Sequence, residues 1–229
     1  MNIAIIPARG GSKRIPRKNI KLFHGKPMIA YSIEAAIQSG CFDKVLVSTD
    51  DHEIAEVAKQ FGAEVPFIRP TDISDDFATT KDVMGHAVSW CVHKGLPVEN
   101  ICCLYATAPF VTSDDLARGL QKLLDTGAEY VFSATSFPFP IQRAIQLSAS
   151  GEVSMFESQY ELSRSQDLQE AFHDAGQFYW GTQEAFLEKK AFFAPHSQVV
   201  LLPRKRVQDI DTPEDWEFAE ALYTLVSKS

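Results

Sequence analysis

The chain has 229 residues, of which 45% are hydrophobic and 23% charged, and its formal net charge is −8. This composition is that of an ordinary soluble globular protein, and the length fits one large α/β domain or a core with a small insertion. The acidic charge argues against nucleic acid as a partner, and the lack of a membrane-spanning run or signal peptide predicts a cytoplasmic protein with no membrane partner.

Apolar runs bounded by turn residues alternate with segments of helical periodicity over the first 136 residues. Strands are predicted at residues 2–7, 44–48, 64–68, 100–105 and 130–134. Helices are predicted at 27–39, within 48–62, at 79–93 and at 113–124. This alternation indicates βαβ units, and therefore a mostly parallel sheet with helices on both faces. Ligands of such sheets bind beyond the carboxyl ends of the strands, which directs attention to the loops 8–26, 48–52, 69–78 and 106–112.

The pattern changes after residue 136. Two short strands around a Ser-Gly turn are predicted in the proline-rich stretch 136–156, followed by a strand at 176–181 and a short helix from Thr182. The run "SQVVLLP" predicts a last strand. A final helix is predicted after Thr212, with Pro213 at its first position and Asp215 completing a capping box. The four cysteines show no C-x-x-C spacing, and we expect them to be free thiols.

The loop after the first strand is long and strongly basic. Seven Lys and Arg residues and no Asp or Glu precede Glu34, so the first 33 residues carry a charge of +7. The glycines of this loop allow backbone N–H groups to approach an anion. The loop has neither the G-x-G-x-x-G spacing of dinucleotide-binding proteins nor the P-loop spacing. A solvated run of charges is the alternative interpretation. We favour a phosphate or triphosphate site, to which Arg9, Lys13, Arg17 and Lys18 would supply charge.

Six motifs resemble, in order and spacing, those of the CMP-nonulosonic acid synthetase (acylneuraminate cytidylyltransferase) family. They are "IPARGGSKRIPRKNI", "VSTDDHEIAEVAKQFGAEV", "IRPTDIS", "ATAPFVTSDDL", "AGQFYWG" and "DIDTPEDW". The resemblance runs nearly end to end and is strongest to the family branch that acts on pseudaminic acid. It implies a Rossmann-like fold of the nucleotide-diphospho-sugar transferase type. It also implies a Mg²⁺-dependent reaction in which CTP and a nine-carbon sugar acid give a CMP-sugar and diphosphate.

The resemblance further implies roles for individual residues. Lys18, Arg9 and Asp211 would be catalytic, and Asp209 and Asp211 would bind the metal. The nucleotide would be bound by Ala8, Arg9, Gly10, Gly11, Ser12, Lys13, Lys18, Asn19, Arg69, Thr79 and Thr80. Alternatives remain open here: Asn19 could simply cap a turn, Arg69 could instead hold the loop before Pro70, and one of the two threonines could be a helix cap.

For the sugar acid, the candidate residues are Tyr105, Arg143, Arg164, His173, Gln177 and Tyr179. The two arginines could pair bidentately with a carboxylate. Because Tyr105 and His173 replace the Gln and Arg of sialic acid enzymes, a different nonulosonic acid is favoured. Trp180 is assigned to the core, and Arg14 to solvent.

The family resemblance implies a homodimer. Residues 1–136 and 173–229 would form the nucleotide-binding core, and residues 137–172 an excursion exchanged near the partner's sugar site. The rival substrates are legionaminate, neuraminate and, less favoured, 3-deoxy-manno-octulosonate. A rival of another class is a non-catalytic nucleotide-binding module, which the combination of a basic loop and paired aspartates disfavours.

Overall fold

The computed structural model describes residues 1–75 and 77–227, and within them six strands form one mixed sheet. These strands are β1 (Asn2–Pro7), β4 (Lys44–Ser48), β5 (Asn100–Leu104), β6 (Tyr130–Ser136), β9 (Phe172–Thr182) and β10 (Ser197–Leu201). They lie in the order β10-β6-β9-β5-β1-β4. All are parallel except β9, which is antiparallel to both neighbours. The mostly parallel sheet predicted from the sequence is therefore confirmed.

Two small hairpins lie outside the sheet. One pairs β2 (Leu22–Phe23) with β3 (Lys26–Pro27), and the other pairs β7 (Ile145–Leu147) with β8 (Val153–Met155). The second hairpin was predicted from its Ser-Gly turn. The first was not, because two residue pairs leave no periodicity to detect, although His24 and Gly25 turn the chain with φ angles of 46° and 81°.

The helices of the described chain are α1 (Met28–Ser39), α2 (His52–Gln60), α3 (Thr80–His93), α4 (Ser113–Thr126), α5 (Gln183–Leu187) and α6 (Pro213–Val226). Three of them start with the same T-x-x-D sequence, in which the threonine caps the helix and the aspartate binds back to it. Such caps satisfy N–H groups that the first turn leaves unpaired, and each stabilises its helix by about 1 kcal/mol. None of the helices in residues 1–75 and 77–227 combines the length and apolar character of a membrane span.

The core has one layer on each face of the sheet because side chains alternate along the strands. In β1, Ala4 and Ile6 face a cluster that includes residues of α1, α2 and α4, whereas Ile3 and Ile5 face one built with α3 and α5. Trp180 is fully buried in the first cluster, as predicted. All four cysteines are free.

A third cluster matters for the position of the loops. It joins Ile15 of the basic loop, Phe23 of the first hairpin, Ile210 near the chain's carboxyl end and Trp216 of α6. Ile15 and Ile210 are 3% and 1% exposed. The packing of these side chains therefore brings two segments that are almost 200 residues apart in sequence to the same place.

The strand predicted at residues 64–68 is wrong. Only isolated parallel bridges form there, between Leu46 and Glu64 and between Thr49 and Ile68. Pro66 lies between the two bridged positions and has no N–H group to donate to a ladder. The segment therefore follows the edge of the sheet without becoming its seventh strand.

Candidate functional site

The loops after β1 and β5 and the segment 69–83 enclose a cleft of about 720 Å³ beyond the carboxyl ends of β1 and β5. Five of the predicted nucleotide-binding residues that line this cleft belong to the basic loop, and a sixth is the first residue of α3. They are Arg9, Ser12, Lys13, Lys18, Asn19 and Thr80. Arg69 and Asp211 also line it. The predicted nucleotide site and one of the two predicted metal ligands are thus brought together.

The backbone of the basic loop is hydrogen-bonded to polar groups at the end of β4 and just after it. Ala8 donates its N–H to Ser48 O at 2.9 Å, and Gly10 donates its N–H to Asp50 Oδ1 at 2.9 Å. A Cβ atom at Gly10 would lie 2.6 Å from Asp51 Oδ2, so no side chain fits there, whereas Gly11 faces open space. Ala8, Gly10 and Gly11 therefore shape the loop, and are not among the described residues that line the cleft.

The cationic side chains of this loop differ in their location and in their partners. Arg9, Lys13, Arg14 and Lys18 line the cleft. Arg17, which was predicted to supply charge to the phosphates, instead pairs with Asp51 and Glu53 at the start of α2. Its φ angle of 56° is in the left-handed region. Arg17 therefore fastens the loop to α2.

Lys18 connects the basic loop to the aspartate segment near the carboxyl end. Its Nζ donates to Ile210 O at 2.6 Å and lies 3.3 Å from Asp211 Oδ1. Arg14 Nη2 approaches the other carboxylate oxygen of Asp211 at 2.8 Å. Arg14 was assigned to solvent; its side chain is 63% exposed, but it is also part of this ion pair and of the cleft wall. Two cations and one carboxylate thus close one side of the cleft.

Of the three candidate nucleotide-binding residues between 69 and 80, some hold the local structure and some line the cleft. Arg69 is 4% exposed and donates to Ser48 O at 3.2 Å and to Ser74 Oγ at 3.1 Å, so it holds the loop while it also lines the cleft. Thr79 is the N-cap of α3. Thr80 faces the cleft, with its hydroxyl 3.3 Å from the hydroxyl of Tyr105. One threonine caps the helix, and the other is available to a ligand.

A second cleft of about 580 Å³ adjoins the first, and Tyr105 lines both. Of the predicted sugar-binding residues, Tyr105, His173 and Tyr179 lie here, together with Asp209. Burial raises the pKa of Tyr105 to about 12 and also raises the pKa of Tyr179. Both phenols therefore keep their protons at neutral pH and act as hydrogen-bond donors.

Asp174 is a residue of the second cleft that the sequence analysis missed. It accepts hydrogen bonds from the hydroxyl of Tyr179 and, at 2.9 Å, from the N–H of Gly176. A signal for it existed in the sequence, because this carboxylate lies two residues before the predicted strand 176–181. That strand actually starts at Phe172 and runs antiparallel, which brings its amino end to the ligand edge of the sheet.

Three predicted sugar-binding residues lie elsewhere. Gln177 is 3% exposed and donates from Nε2 to Arg206 O at 2.6 Å. Arg143 and Arg164 are exposed residues between β6 and β9, and Arg164 pairs with Asp167 at 2.7 Å. None of the three is among the described residues that line either cleft. The two arginines do not reach the site of their own chain.

The two aspartates proposed as metal ligands lie on different clefts, Asp211 on the first and Asp209 on the second. The pKa of Asp209 is raised, first because protein displaces water from its carboxyl group and second by the negative charge of Asp211. Within residues 1–75 and 77–227 no group of three or more His, Cys, Asp or Glu is arranged to hold a metal ion. Mg²⁺ binds with one or two carboxylates together with waters and substrate phosphates, so the donor type and number of these carboxyl groups suit such an ion.

The sequence pattern of the cytidylyltransferase family matches residues 3–226. Among curated proteins, pseudaminic acid cytidylyltransferase of Campylobacter jejuni subsp. jejuni serotype O:2 is 50% identical over 228 residues, which cover 100% of this chain and 98% of that protein. CMP-N,N'-diacetyllegionaminic acid synthase of Legionella pneumophila is 33% identical, with coverage of 97% of this chain and 96% of that protein.

Among solved structures, CMP:2-keto-3-deoxy-manno-octonic acid synthetase complexed with CTP superimposes with a TM-score of 0.70 at 18% identity. The superposition covers 98% of both chains. At this identity the match shows that the fold is shared, and this fold includes the mixed sheet with helices on both faces.

Proposed function

This chain belongs to the cytidylyltransferase family, and we propose that it transfers the CMP group of CTP to pseudaminic acid and releases diphosphate. The observation that carries the proposal is the contact between Lys18 and Asp211, which joins a cationic loop to a carboxylate at the wall of one cleft. The choice of sugar acid rests on the 50% identity, over the whole chain, to the Campylobacter jejuni enzyme.

In the proposed reaction, CTP occupies the first cleft and the sugar acid the second. The anomeric hydroxyl oxygen of the sugar forms a bond to the α-phosphorus, the bond from this phosphorus to the bridging oxygen of the β-phosphate breaks, and the hydroxyl proton is lost to water. Arg9, Lys13 and Lys18 neutralise the triphosphate, and Tyr105, which both clefts share, separates the two substrates. Positioning and charge neutralisation supply most of the catalysis.

Asp209 and Asp211 would hold the Mg²⁺ ion, and this ion would neutralise phosphate charge and acidify the attacking hydroxyl. We expect Asp211→Asn to reduce transfer to background at every Mg²⁺ concentration, because it removes the charged ligand on the nucleotide side. Near-normal turnover of that variant in saturating Mg²⁺ would contradict the assignment.

We further propose that the protein is a homodimer in which the excursion, residues 137–172, brings Arg143 and Arg164 to the partner's sugar site. The support is its exposed apolar surface, on which Phe139, Leu147 and Leu162 are 78%, 68% and 95% exposed. Light scattering at micromolar concentration should give twice the chain mass, and Leu147→Asp should shift it towards the monomer. A monomeric wild-type protein would remove this part of the proposal.

The test of the function itself is diphosphate release from CTP, measured in Mg²⁺ with pseudaminic, legionaminic and neuraminic acid in turn. We expect pseudaminic acid to give the highest kcat/KM. A preference for one of the other acids would identify a sister enzyme, whereas CTP binding without release would support the non-catalytic module. The proposed compartment is the cytoplasm, in keeping with four free thiols, and fractionation of the native host would test it.

A further inference from the structure

The segment 206–212, here called the aspartate segment, contains both proposed metal ligands and is fixed at its two ends. At the carboxyl end, Asp211 and Thr212 donate their N–H groups to Asp215 of α6 at 3.0 and 2.7 Å. At the other end, Arg206 is the anchor. Between the ends, Asp209 follows Arg206 by three residues, and Lys18 donates to Ile210 O at 2.6 Å.

The side chain of Arg206 is bound to the start of α4. Both of its terminal nitrogens contact the carboxylate of Asp115, with Nη2 at 3.0 Å from Oδ1, and Nη1 also donates to Phe110 O at 3.3 Å. Asp115 is fully buried, and the side chain of Arg206 is 16% exposed. A two-point contact of this kind fixes the plane and the direction of the guanidinium group, which a single contact from a lysine does not.

The backbone of Arg206 makes a second connection. Its carbonyl oxygen accepts the hydrogen bond from Gln177 Nε2 at 2.6 Å. Gln177 directly follows the stretch 173–176, whose residues line the second cleft. Arg206 therefore ties together the start of α4, the wall of the second cleft and the aspartate segment.

We propose that Arg206, held by Asp115, is a positioning residue that places Asp209 and Asp211 for Mg²⁺ at the boundary of the two clefts, an inference that rests on the proposed function. A buried ion pair adds little stability compared with apolar residues of similar size, so stability does not account for its presence. Residues that orient metal ligands, by contrast, change metal affinity or activity by about 10- to 100-fold when they are mutated.

The test compares Arg206→Lys with Arg118→Ala. Lys keeps the positive charge beside buried Asp115 but loses the two-point contact. Arg118 is a matched control because it also pairs with Asp115 but lies on the surface of α4, where it pairs with Asp114 as well. For both variants, kcat, the KM for CTP and the Mg²⁺ concentration for half-maximal diphosphate release are measured. Hydrogen exchange of the metal-free protein gives a second readout that does not depend on activity.

For Arg206→Lys we expect the half-saturating Mg²⁺ concentration to rise about 10-fold or more, with the KM for CTP little changed and kcat recovering at high Mg²⁺. Amides of residues 207–211 should exchange faster, while those of the basic loop do not change. Arg118→Ala should match the wild type in all of these. Unchanged Mg²⁺ dependence in Arg206→Lys, or an equal shift in both variants, would overturn the proposal.

Asp115→Asn keeps the shape and the oxygen that Thr112 uses, and it takes the place of Arg206→Lys with the same expectations if that variant does not fold. The failure of the proposed function is distinguishable. If the wild type released no diphosphate with any sugar acid, the exchange of residues 207–211 in the metal-free variants would still decide whether Arg206 holds this segment.

Discussion

Replacing Lys18 by Ala tests the contact on which the proposed function depends. Lys18 and Arg14 both line the cleft and pair with Asp211, and Lys18 is the more buried of the two, with a side chain that is 19% exposed against 63% for Arg14. At 3.3 Å from Asp211, the Coulomb attraction of Lys18 to that carboxylate is about 1 kcal/mol in bulk water and about 5 kcal/mol at an effective dielectric constant of 20. These values bracket the effect of a single cation at the same depth on charge that develops at the phosphate.

Removal of one preorganised electrostatic donor typically raises a barrier by about 2.7–4 kcal/mol, which lies within this bracket. We therefore expect kcat/KM for Lys18→Ala to fall by about 100- to 1,000-fold in the diphosphate-release assay. Lys21→Ala is the matched control, since Lys21 belongs to the same loop but packs over the ring of Trp216 at 4.3 Å. Activity of Lys18→Ala close to the wild-type value, or an equal loss in Lys21→Ala, would refute the reasoning.

Two further expectations concern stability. The hydrogen bond from Arg17 lowers the pKa of Asp51 from 3.8 to about 2. The stability that this pair contributes is therefore complete above pH 3.8 and is lost as the pH falls towards 2. Asp51→Asn should remove about 2 kcal/mol of the pH dependence of the free energy of unfolding in this window, measured by urea unfolding at a series of pH values. At Gly119, a Cβ would lie 2.6 Å from Trp180 Cδ1, so Gly119→Ala should destabilise the protein by about 1–3 kcal/mol in urea. Gly85→Ala is its control in α3, where the nearest atom is 3.6 Å away, and a comparable loss there would contradict the steric explanation.

The strands and helices were predictable where the signal is local. The capping box at Thr212 was predicted from Thr212 and Asp215, and it forms at this position. The boundaries of β1 follow from a short apolar run that ends at Pro7. The prediction failed at residues 64–68, where the apolar residues suit a strand but Pro66 cannot contribute to its ladder.

The fate of neighbouring cations was not predictable. Arg17 and Lys18 are adjacent and have the same charge, yet one pairs with α2 and the other reaches the cleft. The difference follows from the acids that the fold places beside each cation, which are Asp51 and Glu53 at Arg17 and Asp211 at Lys18. These placements are not encoded in a local pattern of residue types.

The position of the Gln177 side chain was also not predictable from the sequence. Strict alternation along a strand would place it on the face of Tyr179, and both were predicted to bind the sugar. The pairing of β6 with β9 shifts between Phe132 and Ala134, and Gly176 opposite this irregularity has a φ angle of 61°. A bulge of this kind resets the alternation, and Gln177 consequently bonds to Arg206 O.

The structure also explains why an acidic chain keeps a basic loop. Its cations do not form one continuous patch: Arg17 is neutralised by two acids and Lys26 by Glu34, whereas Lys18 and Arg14 share Asp211 at the cleft wall. Each ion pair that lies away from the cleft fastens the loop to a helix. At the cleft, both cations pair with Asp211, the carboxylate that we propose binds Mg²⁺. Binding of the metal by Asp211 would weaken its attraction for both cations and so free them for the triphosphate. Metal and nucleotide would then bind cooperatively, because the carboxylate that binds the metal would otherwise hold the two cations that the triphosphate needs.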